Sequence, residues 1–225
     1  MIVQGNVRAH EFARFCCYYT LYIPLAPIMD CQRAEAYVLD QLHQHLSPTL
    51  YYHGLHHTRD VVAQAESLAQ AVGITDPEQL TLLRTAAFYH DAGFLTVYQG
   101  HEAAGCELAR IVLPEFDYTP AQVDTICELI MATKVPQSPG DSPLAQVLCD
   151  ADLDYLGRPD FWPISNSLRD ELLARNLVAD EASWQRLQLS FLTQHQYWTP
   201  AAVARRESEK QARVAEVQAL VTGFE

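Results

Sequence analysis

The sequence predicts an all-α fold, a single-domain helical bundle. Three observations carry this expectation. Apolar residues recur at spacings of three and four through most of the chain, the period of a helix with one buried face. These runs start at Asp, Ser or Thr followed by Pro and stop at Gly or Pro, as helices do. No stretch alternates strictly between apolar and polar residues, as a half-buried strand would, and no Gly-rich phosphate loop or internal repeat is present. At 225 residues, 49% hydrophobic and 19% charged, the chain can build one sizeable core and is far from a disordered composition.

Residues 1–28 are expected to form a loosely attached extension. Arg8 and Arg14 lead into an apolar run over residues 15–28, but Pro24 and Pro27 break it, and it is too short to span a bilayer. Residues 29–160 are expected to hold the functional core, with the helices of 161–225 packed on the same domain. In the first predicted helix Asp30 caps, Ala34, Val38, Leu42 and Leu46 form the stripe, and Ser47-Pro48 ends it. His43 and His45 fall off that stripe and read as surface histidines. Tyr51 to Asp60 reads as a loop with three histidines that runs into a helix capped by Thr58 and closed by Gly73. His57, just before that cap, is the best placed of the three to be a ligand; His53 and His56 read as packing or substrate-facing groups. Asp76-Pro77 opens the next helix, where Leu80, Leu83, Ala87 and His90 share a face.

Asp91 follows His90, and Gly93 is expected to end that helix. A His-Asp doublet alone is weak, since 9 histidines in 225 residues leave about 0.6 such doublets to chance. The inward carboxylate strengthens it, because a buried charge is costly unless a cation or donor meets it. Gly100-His101-Glu102 begins a helix with Ala104, Leu108, Ile111 and Val112 as its expected inner face, up to Pro114. Thr119-Pro120 begins another, with Val123, Ile126, Cys127 and Ile130, and Lys134 follows its end. From Ser142-Pro143, Leu144, Leu148 and Asp152 fall on one line at four-residue spacing, so Asp152 is expected inward and Asp150 and Asp154 outward, with Gly157 closing the helix. A carboxylate in place of the expected leucine points to a metal or an arginine partner. Further helices are expected over about 161–176, 181–196 and 200–222, with Trp162, Trp184 and Trp198 as core and no chemical constellation.

With 28 acidic and 15 basic residues, a net charge of −13 argues against a nucleic-acid polymer or an anionic membrane as partner. The expected partner is a small phosphorylated substrate, and the chain is expected to be a monomer or homodimer in the cytoplasm. No two of the six cysteines show C-x-x-C spacing, so they read as reduced, mostly buried thiols.

His57, His90, Asp91 and Asp152 together supply two imidazoles and two carboxylates. Such a nitrogen and oxygen set fits a six-coordinate divalent ion, Mn, Mg, Fe, Co or Ni, with positions left for water and substrate. The ordered series resembles the HD superfamily of metal-dependent phosphohydrolases, in particular its small stand-alone bacterial members. The matching words are Tyr52-His53 to His57-Thr58, Phe88 to Phe94, Gly100-His101-Glu102 and Cys149 to Leu153, over about residues 30 to 160. The resemblance implies a helical bundle of the HD type with His57, His90, Asp91 and Asp152 as metal ligands. It implies hydrolysis of a phosphate ester, in a nucleotide or another small molecule, by a metal-activated water. His101 and Glu102 are the candidates for proton transfer, Lys134 and Arg59 for neutralising the phosphate, and His53 and Thr133 for facing the substrate. His101 stands where some members hold a second metal, but Thr133 stands about where another histidine would complete that site, so one metal is expected. A non-catalytic metal- or nucleotide-binding module and a di-iron oxygenase are the alternatives.

Overall fold

The structure, a computed structural model, describes residues 29–224; the expected extension over residues 1–28 lies outside them. Among the described residues there are nine α-helices and no strand: α1 (Cys31–His45), α2 (Leu55–Ala71), α3 (Pro77–Tyr89), α4 (His101–Val112), α5 (Pro120–Ala132), α6 (Pro143–Asp152), α7 (Phe161–Ala174), α8 (Glu181–Gln194) and α9 (Pro200–Thr222). Short 3-10 turns, Ala92–Leu95, Leu113–Phe116 and Asp154–Gly157, join α3 to α4, follow α4 and follow α6. The caps follow the sequence signals: the side chains of Asp30, Asp76, Thr119, Ser142 and Thr199 each accept a backbone N–H in the first turn of their helices.

The helix starts differ from expectation at one place that matters. α2 begins at Leu55 after Gly54, so Thr58 is a buried first-turn residue, and His57 is inside the helix rather than ahead of it. Gly73, in the left-handed region at φ 79°, does close that helix. α4 also turns a different face inward. Gly105, Cys106, Ala109 and Val112 are buried, while Ile111 is 73% exposed. Close backbone contact explains this choice of small residues. A Cβ on Gly93 would overlap the carbonyl oxygen of His101, and one on Gly105 would lie 3.2 Å from the carbonyl oxygen of Tyr89. The start of α4 is thereby pressed against the His90-Asp91 turn, which brings His101 and Glu102 to it.

One core joins α1 to α6 through Val38, Leu42, Val61, Leu68, Leu83, Ile126, Ile130 and Leu148, and reaches Ala202 at the start of α9. A second, smaller cluster gathers Tyr52, Leu153, Tyr155, Leu156, Phe161, Leu192 and Val217. Asp150 and Asp154, expected outward, are both buried at the junction between them. Asp150 accepts the backbone N–H groups of Trp198 and Thr199, each at 2.8 Å, and so fastens the start of α9. Asp154 accepts from Arg206 Nε at 2.8 Å. The helical wheel of α6 places these carboxylates away from the Leu144 line correctly, but α9 covers that side too. Gly157 ends the 3-10 turn rather than α6, and a side chain there would overlap the Arg206 backbone, so its absence lets α9 lie close. No helix among the described residues is long and apolar enough to cross a membrane.

Candidate active site

Three helix ends deliver the site. His57 comes from the first turn of α2, His90 is the C-cap of α3 with Asp91 next to it, and Asp152 is the last residue of α6. His57 Nε2 lies 3.3 Å from His90 Nε2, 3.4 Å from Asp91 Oδ2 and 3.2 Å from Asp152 Oδ1. His90 Nε2 lies 3.3 Å from Asp91 Oδ2 and 3.6 Å from Asp152 Oδ1. His90 Nδ1 sits 2.8 Å from the carbonyl oxygen of Ala87, which can only accept. Nδ1 therefore carries the proton in the neutral ring, and the Nε2 lone pair points into the cluster.

A lone pair and two carboxylate oxygens that face one another repel unless a positive charge sits among them. Asp91 Oδ2 makes the same point, since it is buried and accepts no hydrogen bond. Ligand atoms of His57, His90 and Asp152 lie within 4.8 Å of one another, and Asp91 Oδ2 approaches both imidazoles. These residues fit a divalent cation. With protons alone to serve that role, burial disfavours charge on His90, but Asp91 and Asp152 outweigh it and hold the imidazole well above its ordinary pKa. Burial likewise disfavours charge on Asp91 and Asp152, yet the two imidazoles hold both carboxyls well below the usual carboxylate range.

Around this cluster stand the other residues singled out in the sequence. His101 Nε2 is 3.5 Å from Asp91 Oδ1 and 3.7 Å from Glu102 Oε1, and His101 Nδ1 is 3.2 Å from the carbonyl oxygen of Tyr98. Thr133 is buried, donates its hydroxyl proton to the Ile130 carbonyl at 2.8 Å and helps to line the cavity. His53 also lines that cavity. Phe94 stacks on His101 with centroids 3.9 Å apart and lies 4.3 Å from the His53 ring, so one aromatic side chain packs against both imidazoles. His56 is exposed.

Lys134 and Arg59 do not reach the site. Both are exposed, and neither lines the cavity. Lys134 lies past the end of α5, where Thr133 and Val135 line the cavity and its own side chain points to water. Arg59 sits on the outer side of α2, two residues from His57 and therefore about 200° around the helix.

Sequence reasoning missed Glu171 on α7, a fully buried carboxylate. Its Oε2 accepts the backbone N–H groups of Tyr52 at 2.9 Å and His53 at 3.1 Å, and its Oε1 accepts from His53 Nδ1 at 2.6 Å and Tyr98 Oη at 2.9 Å. Burial would raise Glu171, but His53 and the two N–H groups hold it below the ordinary glutamate value. An ionised carboxylate can only accept, so His53 carries its proton on Nδ1 and offers a lone pair at Nε2. The signal available in the sequence was Glu171 three residues after Leu168 on an apolar face, the same kind of break that marks Asp152.

Residues 54–154 match the family model of the HD domain. That stretch of the chain is an HD domain. The match takes in all four clustered residues, His57, His90, Asp91 and Asp152, and ends at the 3-10 turn after α6. A crystal structure from an uncultured Thermotogales bacterium, described as a predicted HD superfamily hydrolase, shares the fold with a TM-score of 0.53 at 20% identity, over 86% of this chain and 92% of that one. No curated protein matches the sequence. HD domains bind divalent metals, in keeping with the donor set found here.

Proposed function

We propose that this chain is a metal-dependent phosphohydrolase that cleaves a phosphate ester of a small molecule. The observation that carries the reading is the convergence of two imidazole Nε2 atoms with the carboxylates of buried Asp91 and half-buried Asp152 at one end of a cavity. His57, His90, Asp91 and Asp152 would hold one divalent ion. Bound there, the ion supplies Lewis acidity, which lowers the pKa of a water and draws charge from a phosphoryl oxygen. Among the described residues one group of three closes within 4.8 Å, which supports a single metal; His101 beside Asp91 Oδ1 is the place for a second.

In the hydrolysis the water oxygen bonds to phosphorus, the ester P–O bond breaks, and the leaving oxygen takes a proton. His101 and Glu102, within 3.7 Å of each other, are placed to handle that proton, and Asp91 Oδ1 orients the imidazole. His53, held by Glu171, presents Nε2 to the cavity, and there it contacts the bound ester. Phe94 keeps the two rings in place. With Lys134 and Arg59 remote, the phosphate charge is met by the cation.

Metal analysis with a phosphate-release panel tests the reading. His90→Ala and Asp91→Ala should each remove the metal and lower release at least a thousandfold, in line with the several kcal/mol a metal ion supplies. Unchanged metal content and activity in both variants would end it.

A further inference from the structure

The cavity that opens from the His/Asp cluster has a volume of about 380 Å³ and two chemically distinct ends. Polar groups, His53, His101, Glu102, Asp91, Asp152 and Thr133, gather at one end. The rest is lined by hydrocarbon from the second core cluster, α7 and α8, including Leu156, Phe161, Leu168, Leu172, Trp184 and Leu192. Among the described residues no lysine or arginine lines it. Gln188 is the polar side chain on the α8 wall, and its amide is already engaged, accepting from Ser165 Oγ and donating to Gln185 at 3.4 Å. The apolar lining also continues outward. Val135 and Leu187 line the cavity and are 55% and 48% exposed, which makes a greasy lip where water-facing side chains are the rule.

A nucleoside di- or triphosphate would bring several negative charges and a polar base into this space, with no cation beyond the metal end to receive them. A hydrocarbon chain or ring, by contrast, would meet leucine and aromatic side chains along most of the wall, where Trp184 Nε1 is a buried donor without a partner. We propose that the substrate is a phosphate monoester of an apolar alcohol, alkyl or aryl, with its hydrocarbon between α7 and α8 and its phosphate at the His/Asp cluster. This rests on the hydrolase reading above. At about 30 Å³ per water-sized unit, a cavity of 380 Å³ holds on the order of a dozen non-hydrogen atoms, so a phosphate with roughly eight carbons fills it.

Two measurements on the metal-loaded protein test the proposal separately from the reaction. In the first, n-alcohols from butanol to decanol are titrated while tryptophan fluorescence is followed, with Trp184→Phe as the control that identifies the reporter. Affinity should rise up to about fourfold per methylene and level off near eight carbons. Leu187→Glu, at an exposed position that the fold tolerates, should weaken octanol binding at least tenfold. Alcohol binding that is absent, or indifferent to chain length, overturns the proposal whatever the activity. In the second, phosphate release is compared for ethyl, butyl, hexyl, octyl and phenyl phosphates and for nucleoside mono- and triphosphates. The expected result is a kcat/KM that climbs with chain length and exceeds that of every nucleotide by tenfold or more. A preference for nucleotides would overturn the substrate class and leave the hydrolase standing. Chain-length-dependent alcohol binding without release from any ester would uphold the apolar cavity while removing the phosphohydrolase reading on which the phosphate end depends.

Discussion

Replacing Glu171 by Gln changes one atom and inverts the hydrogen bonding of the site. The carboxylate now accepts four donors, two at each oxygen. Glutamine keeps one acceptor oxygen and turns the other position into a donor. If its oxygen stays with the Tyr52 and His53 backbone N–H groups, its NH2 faces His53 Nδ1, which must then give up its proton and accept. The proton moves to Nε2, so the ring presents a donor to the cavity in place of a lone pair. Bonds to a charged acceptor are worth about 1.5–3 kcal/mol and neutral ones about 0.5–1.5 kcal/mol, so weakening all four costs about 4–6 kcal/mol. For a chain of this size that lowers Tm by about 8–24 °C. Urea denaturation measures the loss, and long-range nitrogen–proton NMR of the imidazoles reads the tautomer. With phenyl phosphate as substrate, kcat should fall roughly a hundredfold, the usual scale of a misplaced proton-transfer or polar contact, with KM changed less. A Glu171→Gln protein within about 0.5 kcal/mol of the parent, the scale of an inert surface substitution, and with His53 still protonated at Nδ1, would refute this account of the dyad.

Three further outcomes follow from other parts of the fold. His195 at the end of α8 has both ring nitrogens buried without partners, and burial together with the Lys210 charge pulls its pKa down to about 4, against the smaller opposing pull of Glu207 and Asp152. Because the folded value is depressed, the unfolded chain takes up the proton first. Stability should therefore decline as pH falls from about 6.5 to about 4, by about 2–3 kcal/mol, and His195→Phe should remove most of that slope in denaturation curves taken across the range. Asp150→Ala orphans the Trp198 and Thr199 N–H groups at the start of α9 and should cost about 2–4 kcal/mol, while the metal content stays at the parent level. Gly93→Ala drives a methyl group into the His101 carbonyl; it should cost about 1–3 kcal/mol and also lower kcat, since His101 is displaced with α4, and an unchanged kcat would break the link between that turn and the site.

The metal end of the site was legible in the sequence because its residues interrupt local patterns. His90 continues the α3 stripe and stands out because Asp91 follows it, and Asp152 replaces a leucine on the α6 line. His57 was found for a partly wrong reason: it is buried in the first turn of α2, whereas Thr58 was expected to cap just after it. What stayed hidden depends on which elements meet in space. Asp150 and Asp154 were placed outward because the wheel of α6 has no knowledge of α9. Lys134 and Arg59 were matched to a phosphate by charge, but the direction of a side chain at a helix end follows from packing, and theirs point to water. Glu171 reaches Tyr52 and His53 across 119 and 118 residues, a separation over which no periodicity carries information. The apolar cavity belongs to the same class of feature, because Trp184 and Leu172 read as ordinary core until α7 and α8 leave a space between them.

The boundary of the HD match sharpens this division. Residues 54–154 contain the four clustered His and Asp side chains, whereas Phe161, Leu168, Leu172, Trp184 and Leu192, much of the cavity wall, all lie beyond it. The donor set and the space beside it are therefore built by separate lengths of chain, joined by Glu171, which reaches back from α7 to fix His53 at the edge of the metal end. A protein could keep His57, His90, Asp91 and Asp152 and still accept a different molecule if Leu172 or Trp184 became charged, because those positions set what the hydrocarbon wall admits. A shared fold at 20% identity for that reason carries the arrangement of the helices alone and leaves the substrate to be read from the side chains of this one.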